Sequence, residues 1–222
     1  MFCKDDLMVA CYEFDENKEL QIEIETDVQI DPRDDDNIGN MVCFHRRYDL
    51  GDSHQDIEEL ICSIIDEDEL EYLGFDTEYF DGWDEMEEFL FEEVNAAIVL
   101  PLYLYDHSGI TISTSPFSSR WDSGQIGFIF ITEKEIHDEW IDRPSDATLI
   151  SILKSQVDLY DKYIRGDVYN FTVLEHTKCP HCGHVNYDII DSCTGFYGMD
   201  WEENGLFEMA GVKSEQLVEV NM

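Results

Sequence analysis

The segment HTKCPHCGH, residues 176–184, contains the side chains best suited to metal chemistry. Two cysteines separated by two residues and followed by glycine favour a tight turn in which backbone amides face the thiolates, as in a zinc knuckle. A structural zinc needs four ligands, and the chain has no second C-x-x-C. Cys193 is the third candidate, and His176, His181 and His184 compete to be the fourth. We predict a structural zinc with the ligands Cys179, Cys182, Cys193 and His184; the alternative is a knuckle that binds no metal, or binds it adventitiously.

Two loops carry residue types found in hydrolytic enzymes, YDHSG (105–109) and RWDSGQ (120–125). Asp, His and Ser form catalytic triads, but neighbours in sequence cannot form a triad with one another. Asp-Ser-Gly and His-Ser-Gly are also ordinary turn sequences. The sequence therefore assigns no catalytic residue. The candidates for a small enzyme site are Asp106, His107, Asp122 and Arg47, with Cys193 in addition.

The segment CFHRRYDLGD (43–52) holds the basic cluster of the acidic first half. We predict internal ion pairs among Arg46, Arg47, Asp49 and Asp52; a site for a substrate anion is the alternative. Cys43 and His45 would share one face of a strand, which is a pattern for a cysteine nucleophile. A buried free cysteine is the ordinary alternative for Cys43.

Alternating apolar residues, and apolar runs bounded by turn residues, predict most of the strands that would position these side chains. The predicted strands are 8–14, 20–28, 40–45, 97–105, 110–115, 124–132, 167–176 and 185–190. The first two would form a hairpin. The three strands between 97 and 132 would form a central antiparallel β-meander. The last two would form a hairpin over 167–193 with the cysteine motif at its tip.

Helical spacing of apolar residues predicts helices around these strands. A Ser53–Asp56 capping box begins one predicted helix, whose apolar residues between Ile57 and Ile65 would face inward. A second helix is predicted to begin at Asp84. Further helices are predicted at 133–140, after Ser145 and within 200–212. No strict βαβ repeat occurs, so we predict one α+β domain, residues 1–222. Acidic helices would flank its meander, and its C-terminal hairpin would end in a tip like a zinc knuckle.

The net charge is the most unusual property of the sequence. The chain has 52 acidic and 13 basic residues, a formal net charge of −39 at pH 7. Its 13% aromatic content is typical of a folded protein rather than of an acidic disordered chain. Such a charge argues against direct binding to nucleic acid or to an anionic membrane. The remaining explanations of the charge are a basic protein surface as partner, divalent cations or a very salty cytoplasm.

The predicted location is the cytoplasm. The first residues lack the basic and apolar regions of a signal peptide. The longest apolar run, residues 96–105, has ten residues and a proline, which is too short to span a bilayer. The seven cysteines are an odd number, and four of them are scattered, which favours a reduced, intracellular protein over a disulfide scaffold.

Acidic residues concentrate on the helices predicted near 56–93. No Lys or Arg occurs between Arg47 and Arg120, so these acids have no nearby sequence partners. Ordinary surface helices intersperse basic residues to offset i, i+4 repulsion between acids. We predict that these helices bind a basic partner through Glu58, Glu59, Glu67, Asp68, Glu85, Glu87, Glu88, Glu92 and Glu93.

Several long blocks carry a resemblance to a known family. The blocks are NMVCFHRRYDLGD, LPLYLYDHSGITISTSPF, WDSGQIGFIFITEKE, YDKYIRGDVYNF and DSCTGFYG, in order within residues 22–205. Together they resemble a family of acidic, uncharacterised proteins carried by bacteriophages and other mobile elements. Ser119-Arg120 stand where the family usually has Cys-Pro, and Thr194 where it has Trp. The resemblance implies a mobile-element context and no particular reaction.

Three functions are compatible with these features. The first is an accessory protein of a phage or mobile element, in its sharpest form an anti-defence inhibitor that imitates the charge of DNA and binds a nucleic-acid-binding host protein. The second is halophilic adaptation, in which the acidity serves solvation only. The third is a small enzyme that uses the loops within 105–125.

Overall fold

The structure, a computed structural model, describes residues 7–28, 30–34, 37–53 and 81–220. In chain order its elements are β1 (Met8–Phe14), β2 (Lys18–Ile24), β3 (Asn40–Cys43), α1 (Trp83–Glu92), β4 (Ala96–Asp106), β5 (Ile110–Ser113), β6 (Ser123–Thr132), α2 (Glu133–Glu139), α3 (Asp146–Ile164), β7 (Val168–Lys178), β8 (Val185–Tyr197), α4 (Leu206–Met209), a 3-10 turn (Ser214–Gln216) and β9 (Val218–Glu219). The fold is α+β with antiparallel sheets, as predicted. The helix predicted after Ser53 falls on residues 54–80, outside the described residues.

The chain forms two compact units. Unit 1 comprises Met1–Asp31 and Lys162–Met222, and unit 2 comprises Pro32–Asp161. None of the helices in the described part of the chain is long and apolar enough to cross a membrane.

Unit 1 is built on a five-stranded sheet of order β8-β7-β2-β1-β9. The predicted β1–β2 hairpin is confirmed, with a turn at Asp15, whose φ of 57° is left-handed. Alternation in β2 places Leu20 and Ile22 in the core, both fully buried. The predicted C-terminal hairpin is also confirmed as β7 and β8. Because β8 is an edge strand, its residues 186–192 are exposed on both faces.

Unit 2 is built on a four-stranded sheet of order β3-β6-β4-β5. The predicted strands exist, but the predicted β-meander is wrong, because β4 pairs with both β5 and β6. Strand length explains the order. β6 is buried along Ile126–Thr132 and needs neighbours on both sides, whereas β5 has only four residues. The loop between β5 and β6 is long enough for the chain to pass to the far side of β4.

The helices of unit 2 follow their apolar spacing. α1 buries Met86, Phe89 and Leu90 in a core cluster with Phe128 and Phe130 of β6. α2 begins with a capping box between Thr132 and Glu135 that the sequence analysis did not identify. α3 begins after Ser145, as predicted, because the Ser145 hydroxyl accepts the backbone N–H of Thr148 at 3.2 Å.

One buried ion pair joins the loop before β3 to the segment after it. Arg33 Nε donates to Asp52 Oδ1 at 2.7 Å, and Nη2 donates to Asp52 Oδ2 at 2.9 Å. The Arg33 side chain is only 4% exposed. Asp52 Oδ2 also accepts the backbone N–H of Met41 at 2.7 Å, and Arg33 donates to the Gly39 carbonyl at 2.6 Å. The prediction that Asp52 pairs with Arg46 or Arg47 is therefore wrong.

Replacing Asp52 by alanine should destabilise unit 2 strongly. The variant leaves the Arg33 guanidinium buried without its carboxylate, which typically costs about 3–5 kcal/mol. Urea unfolding monitored by circular dichroism measures this loss. Asp49→Ala, three residues away and exposed, is the matched control and should change stability by less than about 0.5 kcal/mol. Equal stabilities for the two variants would contradict the structural role of the Arg33–Asp52 pair.

Candidate functional site

A groove of about 750 Å³ in unit 2 brings together several candidate side chains. Its walls come from the segment after β3, the start of α1, the end of β4 and the start of β6. The Phe44 backbone N–H donates to the Ile126 carbonyl at 2.6 Å, which holds the segment after β3 against β6. The polar and charged lining residues include His45, Arg46, Arg47, Asp106, Asp122 and Gln125.

Arg47 is fixed in the groove by an ion pair with Asp106. Its Nη2 donates to Asp106 Oδ2, and the Tyr48 hydroxyl donates to Asp106 Oδ1 at 3.4 Å. The Arg47 guanidinium also lies over the Tyr48 ring, 5.5 Å from its centroid. The prediction of an ion pair between Arg47 and a neighbouring aspartate is therefore wrong. β4 ends at Asp106 and supplies the carboxylate instead.

His107 and Asp122 meet because β4 and β6 are paired neighbours. The backbone N–H of Asp106 donates to the Asp122 carbonyl at 2.8 Å, which joins the end of β4 to the loop before β6. His107 Nδ1 lies 3.8 Å from Asp122 Oδ2, and the Ser119 hydroxyl donates to the same oxygen at 3.3 Å. The structure thus brings together the four candidates Arg47, Asp106, His107 and Asp122. The fifth, Cys193, belongs to unit 1.

Arg46 and Trp121 provide binding groups that the fold does not use internally. Arg46 is exposed, and it forms no ion pair with the residues that the structure describes. Trp121 is 97% exposed at the groove, and Trp83 packs edge-on against Phe128 with centroids 5.9 Å apart. An arginine beside an aromatic face can hold a planar ligand that carries a negative charge. A histidine close to a carboxylate can transfer a proton.

The buried cysteines are not nucleophiles. Burial raises the pKa of Cys43, and the Asp52 carboxylate raises it further. Burial and a hydrogen bond to Glu19 raise the pKa of Cys11 to about 12. Both thiols therefore stay protonated at neutral pH, and only the thiolate reacts. The Cys43–His45 pattern therefore marks a buried thiol and not a nucleophile. His45 stacks on Tyr48 instead, with ring centroids 5.0 Å apart.

The described part of the predicted partner-binding set lies on and just after α1. Burial of Met86, Phe89 and Leu90 fixes the rotation of the helix, so the intervening carboxylates face solvent. Glu87 is half-buried, and Phe91 is 43% exposed among the acids. The exposed acids of this surface are Asp84, Glu85, Glu88, Glu92 and Glu93. The predicted residues Glu58, Glu59, Glu67 and Asp68 lie outside the described residues.

The tip of the β7–β8 hairpin places Cys179 and Cys182 side by side. Backbone N–H groups of Cys182 and His181 donate to the Cys179 sulfur, and the Cys182 thiol does so as well; these bonds lower the pKa of Cys179. The turn is closed by a hydrogen bond from the Gly183 N–H to the Cys179 carbonyl at 2.9 Å. Gly183 has a φ of 72°, which favours glycine.

Cys193 does not reach this tip. It pairs with Phe171 in the ladder, whereas the tip begins at the pair Lys178–Val185. Seven residues of strand separate Phe171 from Lys178, about 23 Å at the usual rise per residue. Zinc ligands lie about 2.3 Å from the metal, so Cys193 cannot join Cys179 and Cys182 on one ion. Across the described residues, no group of three or more His, Cys, Asp or Glu side chains could hold a metal.

Comparisons with known proteins give no relative for this chain: no family model, curated protein or solved structure matches it.

Sequence reasoning missed the aromatic part of the groove. The sequence patterns give neither tryptophan a role, since Trp83 directly precedes the helix predicted from Asp84 and Trp121 lies in the turn sequence RWDSGQ. A tryptophan next to turn residues that also contain Asp and Ser could have indicated an exposed aromatic side chain. The pairing of β4 with β6, which brings Trp121 to the groove, is a long-range contact that local periodicity does not contain.

Proposed function

We propose that this protein is an acidic binding protein that engages a basic surface of another protein. Its resemblance to proteins of bacteriophages and mobile elements suggests an accessory role in a host cell. In that setting the target is a nucleic-acid-binding host protein, and the inhibitor occupies the cleft that DNA would enter. The observation that carries this proposal is the surface of α1, whose carboxylates face solvent without basic partners among the residues that the structure describes.

The α1 surface consists of Asp84, Glu85, Glu88, Glu92 and Glu93 around Phe91. None of the ion pairs within the described residues includes these acids. Side chains three or four residues apart on a helix lie roughly 5–6 Å from one another and repel when both are charged. The surface is therefore stabilised by any partner that supplies lysines or arginines. Phe91 adds an apolar contact of the kind found in the centre of interfaces.

DNA displays one phosphate per roughly 1.7 Å of helix axis, so a cleft built for DNA carries many basic side chains. A rigid helix with dense carboxylates offers such a cleft a similar charge without a nucleic acid. Association by this mechanism is fast and weakens steeply with salt. Halophilic adaptation is the alternative explanation of the same acids, and it requires no partner at all.

Neutralising the α1 surface should weaken the capture of basic partners. The test variant is Glu85→Gln, Glu88→Gln, Glu92→Gln and Glu93→Gln together, which removes four charges with little change of shape. Exposed charge pairs contribute about 0.2–1 kcal/mol each, so we expect the affinity for the captured protein to fall roughly tenfold or more. The assay is capture from a bacterial lysate at low salt, followed by release of the captured protein with duplex DNA and affinity measurement on that protein.

The matched control carries the same charge change elsewhere on the chain. It replaces four exposed acids of unit 1, namely Glu202, Glu203, Glu208 and Glu215, by glutamine. This control should retain capture and release by DNA. Equal loss in both variants would mean that only net charge matters, and capture that DNA does not release would contradict imitation of DNA.

A second candidate function is favoured by the groove, which Arg47, Asp106 and Asp122 line, with His107 3.8 Å from Asp122. Its volume of about 750 Å³ lies in the range of small-molecule sites. Arg46 can receive an anionic group while Trp121 covers a planar ring. Salt screens the repulsion between a bound anion and those carboxylates of the chain that lie farther away than the Debye length of about 8 Å. We propose that this groove binds a small planar anion, with the His107–Asp122 pair available for proton transfer.

Nucleoside 5′-monophosphates are suitable probes for the groove, and quenching of tryptophan fluorescence is the readout. Trp121→Ala should lower the affinity about tenfold, since stacking of a base on an aromatic ring contributes about 1–3 kcal/mol. Arg46→Gln should lower affinity for the monophosphate but not for the nucleoside. Arg143→Gln, an exposed arginine that pairs with Glu133 and Asp146, should leave both unchanged. Absence of quenching at millimolar nucleotide would contradict this function.

A further inference from the structure

The tip of the β7–β8 hairpin carries two cysteines, Cys179 and Cys182, on one tight turn. The backbone N–H of Gly183 donates to the Cys179 carbonyl at 2.9 Å. The turn is closed on both sides, because the Cys179 N–H also donates to the His184 carbonyl at 2.8 Å. Both cysteines therefore belong to one turn held by backbone hydrogen bonds.

The remaining ligands of a zinc site do not come from the described residues of the same chain. Structural zinc is four-coordinate and tetrahedral, so two thiolates complete only half of a site. The described residues contain no group of three potential ligands, although His181 and His184 belong to the same turn. Cys193, the predicted third ligand, lies about 23 Å down the hairpin at the usual strand rise. A second molecule can supply the other two donors.

The tip is suited to meeting a second copy of itself. Residues 176–187 contain no Asp or Glu, and they include Lys178 and three histidines. The contact of two such tips therefore brings no carboxylate of these residues against another, in a chain of net charge −39. Cys182 is exposed, and residues 186–192 of β8 are exposed as well, so the end of the hairpin is open to contact.

We infer that the tip is half of a zinc site, and that zinc joins the tips of two copies through Cys179 and Cys182 of each. Four thiolates then surround one ion, the ligand set of many structural zinc sites. Binding releases the thiol protons, as metal binding by cysteine generally does. The inference corrects the predicted set of Cys179, Cys182, Cys193 and His184. It is independent of the proposed partner of α1, since the two features lie in different units.

The test uses the full-length protein, reduced and stripped of metal, titrated with zinc. Analytical ultracentrifugation should show the mass change from a 25.9 kDa monomer to twice that mass. Saturation should occur at one zinc per two chains, and a chelator should restore the monomer. Cobalt in place of zinc should give a thiolate-to-metal absorption band with the intensity of four sulfur ligands per cobalt.

Substitutions distinguish the shared site from a site within one chain. Cys179→Ser and Cys182→Ser should each abolish zinc-dependent dimerisation while the circular dichroism spectrum remains that of the parent. Cys193→Ser and His184→Ala are the matched controls, and both should dimerise with zinc like the parent. A monomer that binds one zinc per chain, and loses it in His184→Ala, would overturn the inference. Failure to bind zinc, or dimers insensitive to a chelator, would overturn it equally.

Discussion

The surplus of negative charge is the constraint on which the rest of the structure depends. With 52 acids against 13 bases, the fold can neutralise only a few carboxylates internally. Arg33 is buried with Asp52 in the core of unit 2, and Arg47 is paired with Asp106 beside the groove. Along α1 the acids face water instead, because the helix turns its apolar side, Met86, Phe89 and Leu90, inward. The groove and the hairpin tip, two of the features for which we propose a function, lie where arginines or an acid-free stretch interrupt this pattern.

Local sequence patterns predicted most of the strands and helices, because the spacing of apolar residues indicates which side of an element is buried. Alternation identified β1 and β2, and the spacing of Met86, Phe89 and Leu90 identified α1. The two-cysteine turn and its hairpin were also visible, since turn residues lie between two strand-forming segments. These features depend on neighbours in sequence, and the net charge correctly indicated a surface crowded with acids.

The pairing of strands that lie far apart in the sequence could not be predicted from local patterns. The order β3-β6-β4-β5 replaces the expected meander, and it carries Asp122 to His107 at the end of β4. The arginine pairs were also wrong, because Asp52 meets Arg33 and Arg47 meets Asp106 only after the chain has folded. Residue type alone predicts Cys193 as a ligand, whereas its register in the β7–β8 ladder places it far from the tip. Chemistry was thus predictable by residue type, and its geometry was not.

The central claim is that the acidic surface serves a basic partner at ordinary ionic strength. The most direct measurement is the free energy of unfolding in about 0.1 M and about 3 M KCl, from urea titrations followed by circular dichroism. At about 0.1 M salt the Debye length is near 10 Å, so repulsion between neighbouring carboxylates is largely unscreened. The account predicts a cooperative, folded protein at low salt and only a modest gain of stability at high salt. A chain that folds only in molar KCl would contradict it, because the acids would then be an adaptation to salt.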